Sequence, residues 1–299
     1  MPDTRLWLGN DSGNEGDWDT AANFDPAGVP VTGDTVILQR SSQSVTAGLD
    51  QSAVTLAALR IEQSFTGLVG TLGDPLIIGA TAVNLGEHFG PSAAPAGSQG
   101  INLDLRGAST ITVANSAAAS PSAESTLPPV RLLTDNASSV LRVRKGKVGL
   151  AINSPTAVST IGTVSVGWSA SQSTDADVQI GPGVTLTTLE QTGGSATLRC
   201  AATTVTQSAG ALLTDGTGAI TTHTITGGSA ILNASGTITT LNLDGGRADL
   251  TRSRAARTIT TLAARSGSTG QISYDPAVVT VTNKLAPAGP VTISLSAAA

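Results

Sequence analysis

A short threonine-rich phrase recurs through the second half of the chain, and it restricts the fold more than any other feature. Leu186-Thr-Thr-Leu189, Ala202-Thr-Thr-Val205, Ile220-Thr-Thr-His223, Ile238-Thr-Thr-Leu241 and Ile259-Thr-Thr-Leu262 begin at steps of 16, 18, 18 and 21 residues. Seven positions after each start stands a small pair: Gly193-Gly194, Ala209-Gly210, Gly227-Gly228, Gly245-Gly246, and the looser Ser266-Gly267. Short alternating runs follow, among them Ala196-Thr-Leu198, Ala230-Ile-Leu232 and Ala248-Asp-Leu250. A fixed order with variable length marks stacked repeats whose insertions are absorbed in loops.

The repeating unit is β. Thr, Val and Ile suit a pleated surface, and each phrase is too short and too β-branched to begin a helix. Glycine supplies the positive φ of a corner. Each unit therefore reads as strand, glycine corner, second strand and loop. One unit cannot bury its own apolar side chains, but a stack at the strand spacing of roughly 4.8 Å forms inward ladders of Ile, Leu, Val and Ala and outward ladders of Thr. The expected fold is all-β: a parallel β-solenoid, a right-handed β-helix, with an aromatic cap at its N-terminal end.

Composition agrees with a narrow interior. The 299 residues are 39% apolar but only 2% aromatic, with 34 glycines. A net charge of −5 argues against a nonspecific nucleic-acid binder. The single cysteine, Cys200, has no internal disulfide partner and is expected to be a small buried hydrophobe in the second strand of a repeat. The start MPDTRLWLGNDSG lacks a basic stretch followed by an apolar core, and no apolar run approaches a membrane span. No signal peptide and no membrane partner are therefore expected.

Four regions follow. Residues 1–60 hold Trp7, Trp18 and Phe24 beside several acidic residues and are expected to cap the first strand and to dock. Residues 61–150 carry irregularly spaced strands: Gly67–Gly70, Leu76–Ile78, Ile101–Leu105, Thr110–Val113, Val130–Leu133 and Val140–Val143. Two low-complexity loops, 90–100 and 114–129, interrupt them. Residues 151–285 form the regular stack, and 286–299 a final strand or subunit contact.

Catalytic chemistry finds little purchase. A glycosidase needs two convergent carboxylates, and a polysaccharide lyase needs acidic calcium ligands beside a base. The nearest candidates are Asp175/Asp177 and Asp244/Asp249, by the cluster Arg252, Arg254 and Arg257; none recurs in adjacent repeats, and solvated surface is the simpler reading. The acidic, glycine-rich stretch NDSGNEGDWD makes Asp11, Glu15, Asp17 and Asp19 weak metal candidates, but its spacing is not that of a calcium loop. Neither His88 nor His223 has zinc-like neighbours; His223 replaces a Leu or Val and is expected to be half-buried. The one basic run, Arg142, Arg144, Lys145 and Lys147, is a solvated edge or a contact for an acidic protein. No catalytic residue and no cofactor are expected.

The segment Trp7 to Phe24, W-x-G-x-x-S-G-x-x-G-D-W-x-T-A-A-N-F, followed by VPVTGDTVIL, resembles the start of many β-helical surface proteins. With GLDQSAVTLAALRIEQSFTGLVGT (48–71), VRLLTDNASSVLRVRKGKVGLA (130–151) and ARTITTL (256–262), the chain is similar to β-helical virion proteins of tailed bacteriophages. The resemblance covers most of the chain and carries no catalytic signature. It implies a virion component, made in the host cytoplasm without an export signal and placed on the capsid surface as a decoration (cement) protein. Its implied partners are the major capsid protein and itself, as a homotrimer, with Trp7, Trp18, Phe24 and the basic run as interface residues. The alternatives are a tail fibre or tailspike that binds or cleaves host glycan, and a bacterial surface adhesin.

Overall fold

The computed structural model describes residues 2–86, 100–115, 127–152, 154, 156–168, 175–264, 269–285 and 292–295, the last of these by backbone alone. Among them the chain is all-β. Its one helical element is the 3-10 turn Ala21–Asn23, and its strands join into one hydrogen-bonded sheet. The pairing of Thr4–Trp7 with Phe24–Asp25 is antiparallel, whereas Thr4–Trp7 with Thr35–Leu38 and the pairings that follow are parallel. From Ser159 onward each strand pairs with the strand two places along the chain, so alternate strands fall into two parallel columns.

The threonine phrases stand in register. Leu186, Ala202, Ile220, Ile238 and Ile259 are successive Cα partners, and the ladder extends to Ile161 before them and Val281 after them. The residues from Ile161 to Ile259 are buried, while Thr187, Thr203, Thr221 and Thr239 are exposed. Along Ile220–Ile225 the burial order is buried, exposed, half-buried, buried, half-buried, buried. The period of two slips by one residue between the threonines, and the apolar sets on both sides of the slip stay inside.

A longer ladder joins the N-terminal strand to the regular stack. Trp7, Leu38, Ile61, Leu85, Val113, Val143, Val166, Gln191, Gln207, Ile225 and Leu243 are partnered one to the next. The second column supplies Val148, Val178, Ala196, Leu212, Ala230, Ala248 and Ile272. All of these side chains are buried. Each full-size aliphatic contributes about 1.5–3 kcal/mol by burial, so stability is spread over many rungs.

Close packing fixes the corners. The second glycine of each pair takes positive φ: Gly194 (63°), Gly210 (79°), Gly228 (78°) and Gly246 (65°). A Cβ on Gly228 would stand 2.5 Å from the carbonyl oxygen of Gly210, and one on Gly246 2.7 Å from that of Gly228. Inside two corners lies a buried glutamine. Gln191 Nε2 donates to the carbonyls of Gly194 (3.2 Å) and Ala211 (2.9 Å), and Gln207 Nε2 to those of Gly210 (3.1 Å) and Ser229 (3.1 Å). Each amide thus joins its own corner to the next strand of the second column. The looser fifth pair, Ser266-Gly267, lies outside the described residues.

The N-terminal end differs from the expectation in one respect. Trp7 and Trp18 stack with centroids 6.1 Å apart, and Phe24 meets both edge-on at 5.2 and 5.4 Å. All three are at most 2% exposed. They form a core under the Phe24–Asp25 strand, which covers the free edge of Thr4–Trp7. They cap the end as expected but leave almost no area for the docking expected of them: packing three large rings against one another at the end of a narrow interior removes their apolar surface from water.

Two further details depart from the sequence reading. Val130–Leu133 and Val140–Val143 belong to one 21-residue strand, Val130–Leu150, which pairs, with register shifts along it, with four others: Ile101–Arg106, Thr110–Ala114, Ser159–Val166 and Ala176–Ile180. Gly67–Gly70 contributes only isolated bridges at Val69. Most of the two low-complexity loops, residues 90–99 and 116–126, lies outside the described residues.

Candidate functional site

The acidic N-terminal stretch is used up in turns. Asn14 Nδ2 donates to Asp11 (3.0 Å), and Asp17 accepts the Asp19 N–H (3.0 Å) and the Thr20 hydroxyl (3.2 Å). Asp19 accepts from Gln51 Nε2 (2.8 Å). The backbone N–H groups of Glu15 and Gly13 lower the pKa of half-buried Glu15. Among the described residues no three His, Cys, Asp or Glu side chains converge as a metal site.

The other acidic candidates fall in two places, and Asp177 and Asp249 are far apart. Asp177 accepts the Ser195 hydroxyl (2.9 Å) and stands in register with Lys147. Asp249 lies four rungs further along the same column, ~19 Å at the usual strand spacing. There it accepts the Thr251 N–H (3.0 Å) and hydroxyl (2.7 Å). Burial opposes the Asp249 charge, but the bonds from Thr251 and Arg252 and the Arg247 charge leave its pKa below the ordinary value. The arginine cluster also divides. Arg252 and Arg254 are exposed, whereas Arg257 is buried and donates to the carbonyls of Leu232, Leu250 and Ser253.

His223 and Cys200 are interior residues. His223 is fully buried rather than half-buried, in register between Val205 and Leu241, and among the described residues neither ring nitrogen has a hydrogen-bond partner. Desolvation lowers its pKa to about 4. Cys200 is buried in the turn just past the Ser195–Leu198 strand, not within it, and burial pushes its thiol up to about 12. His88 lies outside the described residues.

Two surface features remain. The first is the basic run: Arg144, Lys145 and Lys147 are exposed, and Arg142 is half-buried. The Arg142 guanidinium carbon lies 5.0 Å from the ring centroid of Trp168, which is 40% exposed. The sequence reading passed over Trp168, although a tryptophan just past the glycine that ends a strand was a visible signal.

The second is a groove of about 480 Å³ bordered by Asp104, Arg106, Asp135, Ser159, Thr160 and Thr185. Arg106 meets Asp104 at 2.6 Å and Asp135 at 3.7 Å. Partial burial raises the Asp104 pKa; the Arg106 charge opposes the shift, and the Asp135 charge adds to it. Ladder register accounts for the grouping. Asp104 partners Leu133, two residues before Asp135, and Asp135 partners Thr160.

Comparison with protein-family models, with curated proteins and with solved structures gave no match. Among the described residues no helix is long and apolar enough to cross a membrane.

Proposed function

We propose that this chain is a non-enzymatic structural protein of a tailed-phage virion that decorates the capsid and stabilises it. On this reading the paired strand columns wind as a right-handed parallel β-helix, closed at its N-terminal end by the aromatic cluster. The observation that carries the reading is the buried ladder running from Trp7 to Leu243 without a break. A stack of small aliphatics clamped at its corners by glycine and glutamine is stiff along its length. Stiffness suits a part that bridges neighbouring shell subunits and resists their separation. The partners are the major capsid protein and further copies of the chain, as a homotrimer, and no residue is given a catalytic role.

The test uses particles assembled without the protein. They are expected to lose heat and osmotic resistance, and to regain it when the purified chain is added back. Unchanged resistance, with no binding to the shell, would reject the decoration role.

One observation favours a second reading, a tailspike-type glycan-binding or glycan-cleaving protein. The Asp104–Arg106–Asp135 groove offers a charged donor between two acceptors, which suits sugar hydroxyls. Incubation with host polysaccharide separates the two: release of reducing ends or unsaturated products, lost in Asp104→Asn, would favour the second.

A further inference from the structure

Trp168 stands apart from the other described aromatic residues. Trp7, Trp18, Phe24, Phe65 and Tyr274 are each at most 2% exposed, whereas Trp168 is 40% exposed. Its position is fixed from the backbone. Gly167 turns the chain with φ of 74°, and a Cβ there would lie 2.6 Å from the Gly193 nitrogen. The N–H groups of Gly167 (2.9 Å) and Trp168 (3.2 Å) both donate to the Val143 carbonyl, next to Arg142 in the chain. The Thr192 hydroxyl donates to the Gly167 carbonyl (2.8 Å) from the following rung. The indole is thereby held beside Arg142, and the cation–π contact orders a guanidinium that would otherwise lose rotamer freedom on binding.

The surroundings select the partner. Among the described residues no carboxylate forms an ion pair with Arg142. The neighbouring Glu190 accepts the Ser165 hydroxyl (2.9 Å), and Ser165 is the ladder partner of Arg142. Arg144 and Lys145 are exposed on the adjoining corner, while Lys147 stands in register with Asp177. Arg142, Arg144, Lys145 and Lys147 outnumber the carboxylates beside them, Asp175, Asp177 and Glu190, on a chain whose net charge is −5. Tryptophan and arginine dominate the energetic centres of protein interfaces, and complementary charge sets orientation and encounter rate.

We propose that Trp168, braced by Arg142, anchors the docking surface, and that Arg144 and Lys145 seat it on an acidic patch of the shell protein. The inference rests on the decoration reading and replaces the buried aromatic cluster as the anchor. The partner surface offers an apolar recess for the indole and a carboxylate for the N–H groups of Arg142. The groove at Asp104 lies among other residues and is not part of this surface.

The experiment adds full-length chain to particles assembled without it and follows co-sedimentation, together with acrylamide quenching of tryptophan fluorescence. Trp7 and Trp18 are buried, so quenching reports Trp168. Wild type is expected to bind saturably and to lose quenching on binding. Trp168→Ala and Arg142→Glu should each weaken binding at least tenfold with unchanged melting temperature, and Lys145→Glu should slow association most at low salt. Wild-type affinity in both of the first two variants overturns this anchor and leaves the decoration reading standing. Failure of the wild type to bind overturns both. Binding to polygalacturonate instead of to particles, lost in Trp168→Ala, overturns the protein partner in favour of an anionic glycan. Should Trp168→Ala fail to fold, Arg142→Glu and the quenching of wild type decide.

Discussion

Gly246 lies against Gly228 across one rung of the stack, so close that a Cβ on Gly246 would stand 2.7 Å from the Gly228 carbonyl oxygen. Gly228 stands in the same relation to Gly210, at 2.5 Å. Two constraints act at once: a left-handed backbone that side chains disfavour, and contact with backbone that cannot rotate away. Gly228→Ala is therefore expected to cost about 1–3 kcal/mol from its backbone conformation alone, and more from the contact. Gly73, with open space where its Cβ would be, is the control; Gly73→Ala should be neutral or slightly stabilising. Urea midpoints of the two variants check the contrast.

His223 gives the stack a pH dependence. Burial lowers its pKa from 6.5 to about 4, so the unfolded chain binds a proton more readily than the folded one. Its contribution is fully present above pH 6.5, falls as pH drops from 6.5 towards 4, and levels off below. The loss is about 3 kcal/mol at most. His223→Leu restores the residue type of its partner Leu241 and removes two unpartnered nitrogens, so it should flatten this part of the profile. Unfolding midpoints at pH 7 and pH 4.5 are the measurement; equal slopes in the two proteins would reject the assignment.

The first rung is closed by a buried ion pair. Arg5 Nε donates to Asp34 at 2.8 Å, with side-chain exposures of 11% and 0%. Burial works against the Asp34 carboxylate, but the N–H groups of Asp3 and Val31 and the Arg5 guanidinium leave its pKa below the ordinary value. This contribution is present above the ordinary carboxylate pKa and is lost as pH falls below it. Asp34→Asn leaves Arg5 the exposed Asp3 carboxylate (3.1 Å) and the Pro26 carbonyl (3.0 Å) and is expected to cost about 1–3 kcal/mol, and Arg5→Met with Asp34→Leu should recover part of that. Thermal unfolding of the single and double variants tests the pair.

How much of this was legible depends on where register shows in sequence. Leu186, Ala202, Ile220, Ile238 and Ile259 each head a phrase with the same double threonine, so their ladder could be written down directly. Ile161 and Val281 belong to the same ladder without the double threonine, which concealed them. Gln191 and Gln207 fall five residues after their phrase starts, at inward positions, where polarity disguised a corner clamp. The direction of the aromatic residues was legible only in part: Trp168 follows the glycine that ends its strand, a local sign of a corner, whereas Trp7 stands within a strand and is covered by Trp18 and Phe24, which the sequence does not place against it. The Asp104–Arg106–Asp135 groove was hidden for a similar reason. Its residues lie up to 31 positions apart and meet only through the pairing of Ile101–Arg106 with Val130–Leu150.

The ladder itself is tested by neighbouring residues with opposite fates. Ile238 is 6% exposed and partnered by Ile220 and Ile259, whereas Thr239, one residue on, is exposed. Ile238→Asp places a charge among aliphatics on both adjacent rungs, with no basic group among its ladder partners, and should cost at least 4 kcal/mol or prevent folding. Thr239→Asp puts the same carboxylate into water and is expected to stay within about 0.5 kcal/mol of wild type. Because stability along a stack is mostly nearest-neighbour, the damage in Ile238→Asp should be local first: hydrogen exchange should accelerate in Ile220–Ile225 and Arg257–Ala263 before it does in Thr35–Leu38. Uniform acceleration from end to end would show instead that the rungs unfold as one cooperative unit, and equal stability of the two variants would reject the register.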